Sequence, residues 1–502
     1  MSQQPQQDRS VTYASAGVDV EAGDRAVELM KAAVRATHTP RVVGGVGGFA
    51  GLFDVSELTA YRRPYLATST DGVGTKVAIA QSLDVHDTIG WDLVGMVVDD
   101  IVVVGATPLF VTDYIATGKV VPERVADIVR GIAAACEAAG TALVGGETAE
   151  HPGLLAVDEY DVAGAATGVV EANELLGPQR VRDGDVVIGM ASSGLHSNGY
   201  SLVRRVINMA GWQLDRQVSE LGRTLGEELL EPTRVYAADV LDLARAFPVN
   251  GDDGATGHGV RGFSHVTGGG LAANLARVLP PELQATVDRS TWSLPPVFRL
   301  VSELGGVPQP DLERTLNLGV GMVAIVDPAV ADAAVAHLNA RGVPSWVMGG
   351  VGPVDPDAAH HGSDWVQGAK GVSGGGVLMT GSYAHLARGP GPRHAKNRPH
   401  GRVGGSCCTV LEGRSVRGDS PPAASLRSGL RWVPGCATVR CRTGVERRAH
   451  RAGRGVSRSP STSPRRSSSR PRPRVVPRGP RLGRTVSCLA THVAGPSSRS
   501  AG

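Results

Sequence analysis

Cysteine is nearly absent. Of six in 502 residues only Cys136 precedes residue 385; Cys407, Cys408, Cys436, Cys441 and Cys488 follow it. A single cysteine excludes a disulfide framework in residues 1–384, which suits a reducing compartment, and a cytoplasmic location is expected. No apolar run is long enough to span a bilayer, so no membrane partner is expected. The opening M-S-Q-Q-P-Q-Q-D-R-S lacks the basic and apolar regions of a secretory leader. G-x-G-x-x-G after a strand is missing, which argues against a dinucleotide cofactor. Neither G-x-S-x-G nor a Cys–His pairing points to a covalent nucleophile.

Acidic residues are missing from the C-terminal region. Residues 385–502 hold 25 Lys+Arg against 3 Asp+Glu, a net +22, which leaves 26 basic and 45 acidic residues, or −19, in 1–384. The overall +3 hides two compositions. The C-terminal region is Arg, Pro, Ser and Gly with little periodicity and cannot bury enough apolar surface to offset chain entropy, so it is expected to be a disordered tail. Two readings stand. One is a nucleic-acid-binding arm; the other, favoured, is a GC-rich gene read in a shifted frame.

What is present before residue 385 is an alternation of helical and strand patterns. Ala22, Ala26, Leu29, Met30, Ala33 and Val34 recur at helical spacing, predicting a helix over 19–36. Further helices are expected at 88–105, from Pro122 to about Ala139, and at 198–209, 233–247, 271–279 and 328–341. Strands are expected at 64–69, 108–116, 141–148, 160–170, 185–193, 322–327 and 345–351. There is no regular βαβ repeat, so the expected class is α+β, in two mixed α/β-layer domains covering 1–172 and 173–384, with the tail from 385.

Three features carry chemistry. S-T-D-G-V-G-T-K (69–76) follows a strand and offers glycine backbone, a lysine and a carboxylate. Glycines let N–H groups approach phosphate oxygens, and Lys76 can supply a point charge. Asp71 would be repelled by phosphate unless Mg²⁺ stands between. In the 88–105 helix Asp92 and Asp99 share a face, and Asp100 follows Leu93 by seven and Met96 by four. Buried carboxylates are costly, and a cation would remove the objection. Glu147, in G-G-E-T, adds a third acidic segment. S-S-G-L-H-S-N-G-Y (192–200) and H-V-T-G-G-G-L (265–271) each run from a glycine-containing turn into a helix, which suits anions, and His196, Ser197 and Asn198 cluster as donors. N-capping by Ser or Asn is the plainer explanation for that cluster and leaves the histidine unexplained.

Nine motifs in order make the chain resemble the phosphoribosylformylglycinamidine cyclo-ligase (AIR synthetase) family: Y-A-S-A-G-V-D-V, G-G-V-G-G-F, S-T-D-G-V-G-T-K, V-V-D-D-I-V-V-V-G-A-T-P-L-F, G-G-E-T-A-E-H-P-G, S-S-G-L-H-S-N-G-Y-S-L-V-R, E-P-T-R-V-Y, T-G-G-G-L-A-A-N-L and R-T-L-N-L-G-V-G-M. The resemblance spans about 13–384. Asp99 stands where the family usually has Asn, His151 where it often has Met, and Ala276 where Pro is common. Selenophosphate synthetase is disfavoured because no cysteine precedes Cys136, and the larger formylglycinamidine ribonucleotide synthetase because the loop has no second copy. The resemblance implies ATP-dependent ring closure of a ribonucleotide in purine biosynthesis, by a homodimer whose first domains pair. It implies ATP contacts at Gly47, Gly48, Asp71, Gly72, Gly74, Thr75 and Lys76, and Mg²⁺ ligands among Asp71, Asp99, Asp100 and Glu147. His196, Ser197, Asn198, Thr267, Gly268 and Gly269 would face the substrate, with Lys76 and His196 taking part in catalysis.

Overall fold

The protein is seen in a computed structural model that describes residues 17–249, 257–369 and 371–384. The tail from 385 lies outside the described residues, and with it the expectation of disorder there.

In the first domain four strands form one sheet: β1 (Pro64–Gly72), β2 (Thr107–Thr117), β3 (Ala142–Glu150) and β4 (Tyr160–Glu171). Their order is β1-β4-β2-β3, with β2 and β3 parallel and the other neighbours antiparallel. Helices α1 (Val20–Ala36), α2 (Val77–Leu83), α3 (Ile89–Val102) and α4 (Pro122–Ala139) accompany it. α1 begins where Asp19 accepts the N–H of Ala22, and α4 begins on Pro122 and ends on Gly140 at φ +70°. Helix α3 lies on one face of the sheet. A Cβ on Gly164 would stand 3.1 Å from Leu93, and one on Gly168 3.0 Å from Ile101. Thr68, Thr70, Thr112, Tyr114, Ala163, Ala165 and Thr167 point the other way and are exposed or half-buried, so that face has no covering layer among the described residues.

The second domain holds a seven-stranded sheet. Its strands are β5 (Val186–Ala191), β6 (Val260–His265), β7 (Leu283–Asp288), β8 (Val320–Val326), β9 (Ser345–Pro353), β10 (Trp365–Ala369) and β11 (Val372–Thr380), in the order β6-β8-β5-β9-β7-β11-β10. Helices α5 (Tyr200–Ala210), α6 (Ala237–Ala246), α7 (Gly270–Leu275), α8 (Pro296–Gly305) and α9 (Ala331–Ala340) pack around it. The mixed strand directions agree with the α+β expectation.

Several elements are additional to those expected: β6, β7, β10, β11, α2 and α8. β11 is not expected because the run Gly374, Gly375, Gly376 gives no strand pattern, yet these glycines are buried. The glycines are needed for close approach. A Cβ on Gly374 would lie 2.1 Å from the carbonyl oxygen of Ala276, and one on Gly376 1.8 Å from the Trp365 ring.

Candidate active site

Helix α3 is the junction between the domains. Asp92, Met96, Asp99 and Asp100 fall at helical spacings of four, three and one, forming a stripe that faces the second domain. Asp92 Oδ1 accepts from Lys76 Nζ at 2.8 Å and from the N–H and hydroxyl of Thr233 at 3.1 and 2.5 Å. The Asn198 side chain reaches Met96 Sδ at 3.4 Å. Both oxygens of Asp99 accept the N–H of Tyr236, each at 3.0 Å, at the start of α6. Asp100 Oδ1 meets His265 Nδ1 at 2.9 Å. Asp92 Oδ1 and Asp99 are thus answered by donors from the chain itself, where the sequence suggested a cation, while Asp92 Oδ2 is buried without a partner.

Lys76 is sealed. Its ammonium also donates to the carbonyl oxygen of Glu231 at 2.6 Å, and neither Lys76 nor Asp92 has any exposed side-chain surface (0%/0%). Burial pushes Lys76 down and Asp92 up, and each supports the other's charge. In this conformation the lysine expected to meet a phosphate spans the two domains. The rest of the loop is more open. Asp71 accepts the N–H of Gly72 at 2.7 Å, Gly74 sits at φ +75°, and the Thr75 hydroxyl lies 3.3 Å from that of Ser201.

The glycine-rich loop is elsewhere. Gly47 and Gly48 line a cavity of about 640 Å³ walled by α1, β2 and β3. Asp113 is on its wall, and burial raises its pKa to about 7. This loop adjoins β3, one edge of the sheet, whereas Asp71 lies on β1, the other edge. One chain does not bring the two halves of the expected ATP site together.

The four-carboxylate metal set needs correction. Asp71, Gly164, Asp113 and Gly146 form one row across the sheet, so Glu147, in the next row, is three strands from β1 and points to the opposite face. At about 4.8 Å per strand that is about 14 Å. Asp99 has no exposed surface, and burial lifts its pKa to about 7. Among the described residues no three His, Cys, Asp or Glu side chains converge to hold a metal. Mg²⁺ commonly takes only one or two carboxylates beside phosphate oxygens and waters. Asp71 and Asp100, both half-buried, keep the access that such a role needs, whereas Asp99 is sealed and Glu147 points to the opposite face.

The expected substrate turns do meet. A Cβ on Gly268 would lie 3.3 Å from Asn198 Oδ1. Gly269 holds φ +107°, and Asn274 ties the turn by donating to the carbonyl oxygens of Thr267 and Gly270 at 3.1 and 2.8 Å. Ser197 is buried. His196 is buried at φ +59°, and Nε2 accepts the N–H of Ser193 at 3.2 Å. The ring proton therefore resides on Nδ1, which is buried without a partner. Burial first, then the charges of His265 and Lys76, hold its pKa well below the ordinary value, so the ring is neutral.

His265 is the residue that motif reasoning passed over, although it heads H-V-T-G-G-G. It is buried, which disfavours its proton, but the Asp100 hydrogen bond and the charges of Asp99, Asp100 and Asp71 outweigh burial and raise its pKa. Asp113 was missed too; one acidic residue in a strand pattern carries no signal of its own.

Residues 55–170 match the family "AIR synthase related protein, N-terminal domain", and 182–362 match its C-terminal domain counterpart. A phosphoribosylformylglycinamidine cyclo-ligase of Anaeromyxobacter sp. is 50% identical over 341 residues, 68% of this chain and 95% of that protein. One from Desulfitobacterium hafniense is 48% identical over 340 residues, 68% and 96% of the two chains. The chain belongs to the phosphoribosylformylglycinamidine cyclo-ligase family. A cyclo-ligase of this family is an ATP-dependent, ring-closing enzyme of purine biosynthesis. Among solved structures, thiamine-monophosphate kinase from Stenotrophomonas maltophilia is 18% identical with a TM-score of 0.49, covering 71% of this chain and 97% of its own. No helix among the described residues of this cyclo-ligase is long and apolar enough to cross a membrane.

Proposed function

We propose that the chain closes formylglycinamidine ribonucleotide to 5-aminoimidazole ribonucleotide with conversion of ATP to ADP and phosphate. The observation that carries this is the approach of the 69–76 loop and the 196–198 turn on α3, with the 267–269 turn against Asn198. An amide oxygen is a poor leaving group. Transfer of the γ-phosphoryl group to the formyl oxygen gives an iminophosphate, and a nitrogen of the same molecule then attacks that carbon. The C–N bond forms as the C–O bond breaks and phosphate departs. Attack within one bound molecule gains from proximity. The protein's work is positioning and charge stabilisation.

In this reading Asp71 and Asp100 hold Mg²⁺, which when bound neutralises charge on the phosphates. Gly72, Gly74 and Thr75 offer backbone and hydroxyl donors to the nucleotide, and Lys76 acts from behind them as a buried positive charge. Asn198, Thr267, Gly268 and Gly269 face the ribonucleotide. His196 and Ser197 hold the turn, with the neutral Nδ1–H available once the turn opens.

The working unit in this reading is a homodimer. β1 is an edge strand of nine residues, with Leu66 64% exposed, and an unpaired edge is a template for another strand. Pairing through the bare sheet faces and edges would bring the partner's glycine-rich loop toward this chain's Asp71, completing a site that one chain leaves divided. The test is ADP formation by the purified chain. It should require the ribonucleotide; ATP turnover independent of that substrate, or none with it, would sink the reading.

A further inference from the structure

We propose that His265 is a positioning residue that holds the Asp100 carboxylate in the orientation in which it meets the magnesium nucleotide. The inference rests on the reading of Asp100 above. His265 closes β6 in the second domain, while Asp100 sits near the end of α3 in the first. Their contact, 2.9 Å between Nδ1 and Oδ1, crosses the domain junction. The pair is asymmetric in access. The imidazole is 3% exposed and the carboxylate 36%. A buried donor behind a reachable carboxylate is the arrangement by which an outer group fixes the direction of a ligating one. The histidine itself cannot move freely. Val266 N–H bonds to the carbonyl oxygen of Gly321, and the Thr267–Asn274 turn follows at once, so the ring's place is tied to the turn assigned to the ribonucleotide. Orientation of the metal-side carboxylate and formation of the substrate turn are thereby built into one segment, 265–270.

The experiment compares His265→Asn, whose amide nitrogen can occupy the place of Nδ1, with His265→Gln, whose amide nitrogen falls nearer the place of Nε2. Calorimetry measures ATP binding with Mg²⁺ and with EDTA, and thermal unfolding is recorded for each protein. His265→Gln should lose about tenfold or more in Mg·ATP affinity, the usual range for an outer-shell partner, and His265→Asn should recover most of it. The loss should vanish in EDTA. An equal loss with and without Mg²⁺, or no difference between the two variants, would overturn the inference and make His265 a simple staple between domains. Asp100→Asn separates the two layers of argument. If it binds Mg·ATP as the wild type does, the role of Asp100 is wrong and the inference goes with it. If it binds weakly while His265→Gln binds normally, only the inference falls.

Discussion

Two ion pairs on α3 lie at the domain junction, and they are placed differently: Lys76–Asp92 is within the first domain and His265–Asp100 crosses to the second. Lys76–Asp92 and His265–Asp100 span 2.8 and 2.9 Å, and each joins α3 to a partner tied to the second domain. The first is closed to solvent on both sides; in the second only the histidine is. A carboxylate paired with a nitrogen donor thus serves two ends. A sealed pair can act on a ligand only as a fixed charge from behind the loop, whereas an open one can also touch it. The sequence D-x₆-D-D contains both without distinguishing them.

The sharpest way to break this comparison is to remove one partner of the sealed pair. Asp92→Ala should leave Lys76 charged or deprotonated in a place with no solvent, at a cost of about 3–5 kcal/mol in a denaturant titration. Replacing both with apolar residues, Lys76→Met with Asp92→Leu, should recover only part of that loss, because the N–H and hydroxyl of Thr233 and the carbonyl of Glu231 lose their partners. A double variant as unstable as the single one would show that the pair is not the source of the effect.

Asp99 tests the buried end of the same helix through pH. Its folded pKa, about 7, exceeds the usual 3.8, so the folded state holds a proton that the unfolded state releases. Stability from this group is therefore present below about pH 4 and is lost as pH rises toward 7. Asp99→Asn should remove that slope. Near pH 8 the variant should be more stable than the wild type by about 1–3 kcal/mol, measured as a difference in unfolding free energy at pH 4.5 and 8. Equal slopes would mean that Asp99 stays ionised.

His196 sharpens the comparison from the substrate side. His196→Gln, whose side-chain amide oxygen can accept the Ser193 N–H in place of Nε2 and so keep the turn, should lower kcat/KM for the ribonucleotide about tenfold, roughly 1.4 kcal/mol, while ATP binding and the melting temperature stay near the wild-type values. A lower melting temperature with unchanged kinetics would assign the ring to the scaffold. The smallest effect on the fold is expected at the sheet edge. Leu66→Lys should shift the chain toward monomer in sedimentation while changing single-chain stability by no more than about 0.5 kcal/mol. A variant that sediments as the wild type does would remove β1 from the proposed interface.

Much of this architecture was legible in the residues. Helices with a clear apolar stripe and a marked start, such as α1 after Asp19 and α4 from Pro122, lie within two residues of expectation. The stripe on α3 was legible too, as carboxylates on an apolar face. Their partners were not. Thr233, Tyr236 and His265 lie more than a hundred residues away, and no local period announces a donor at that range. The separation of Gly47 from Asp71 was hidden for a related reason: the resemblance assigned both motifs to ATP, but strand order, which decides whether they meet, is a long-range property. β11 was illegible because a glycine run gives no strand pattern; the glycines answer neighbouring backbone and a tryptophan ring.

The carboxylates of α3 also bear on what counts as a unit of folding. Residues 171–185 separate the domains along the chain, yet Asp92 and Asp99 are buried with their charge or proton managed by groups of the second domain. A fragment ending near 172 would expose the stripe that the second domain now covers. The border between domains is topological, and the two halves gain their order as one cooperative block.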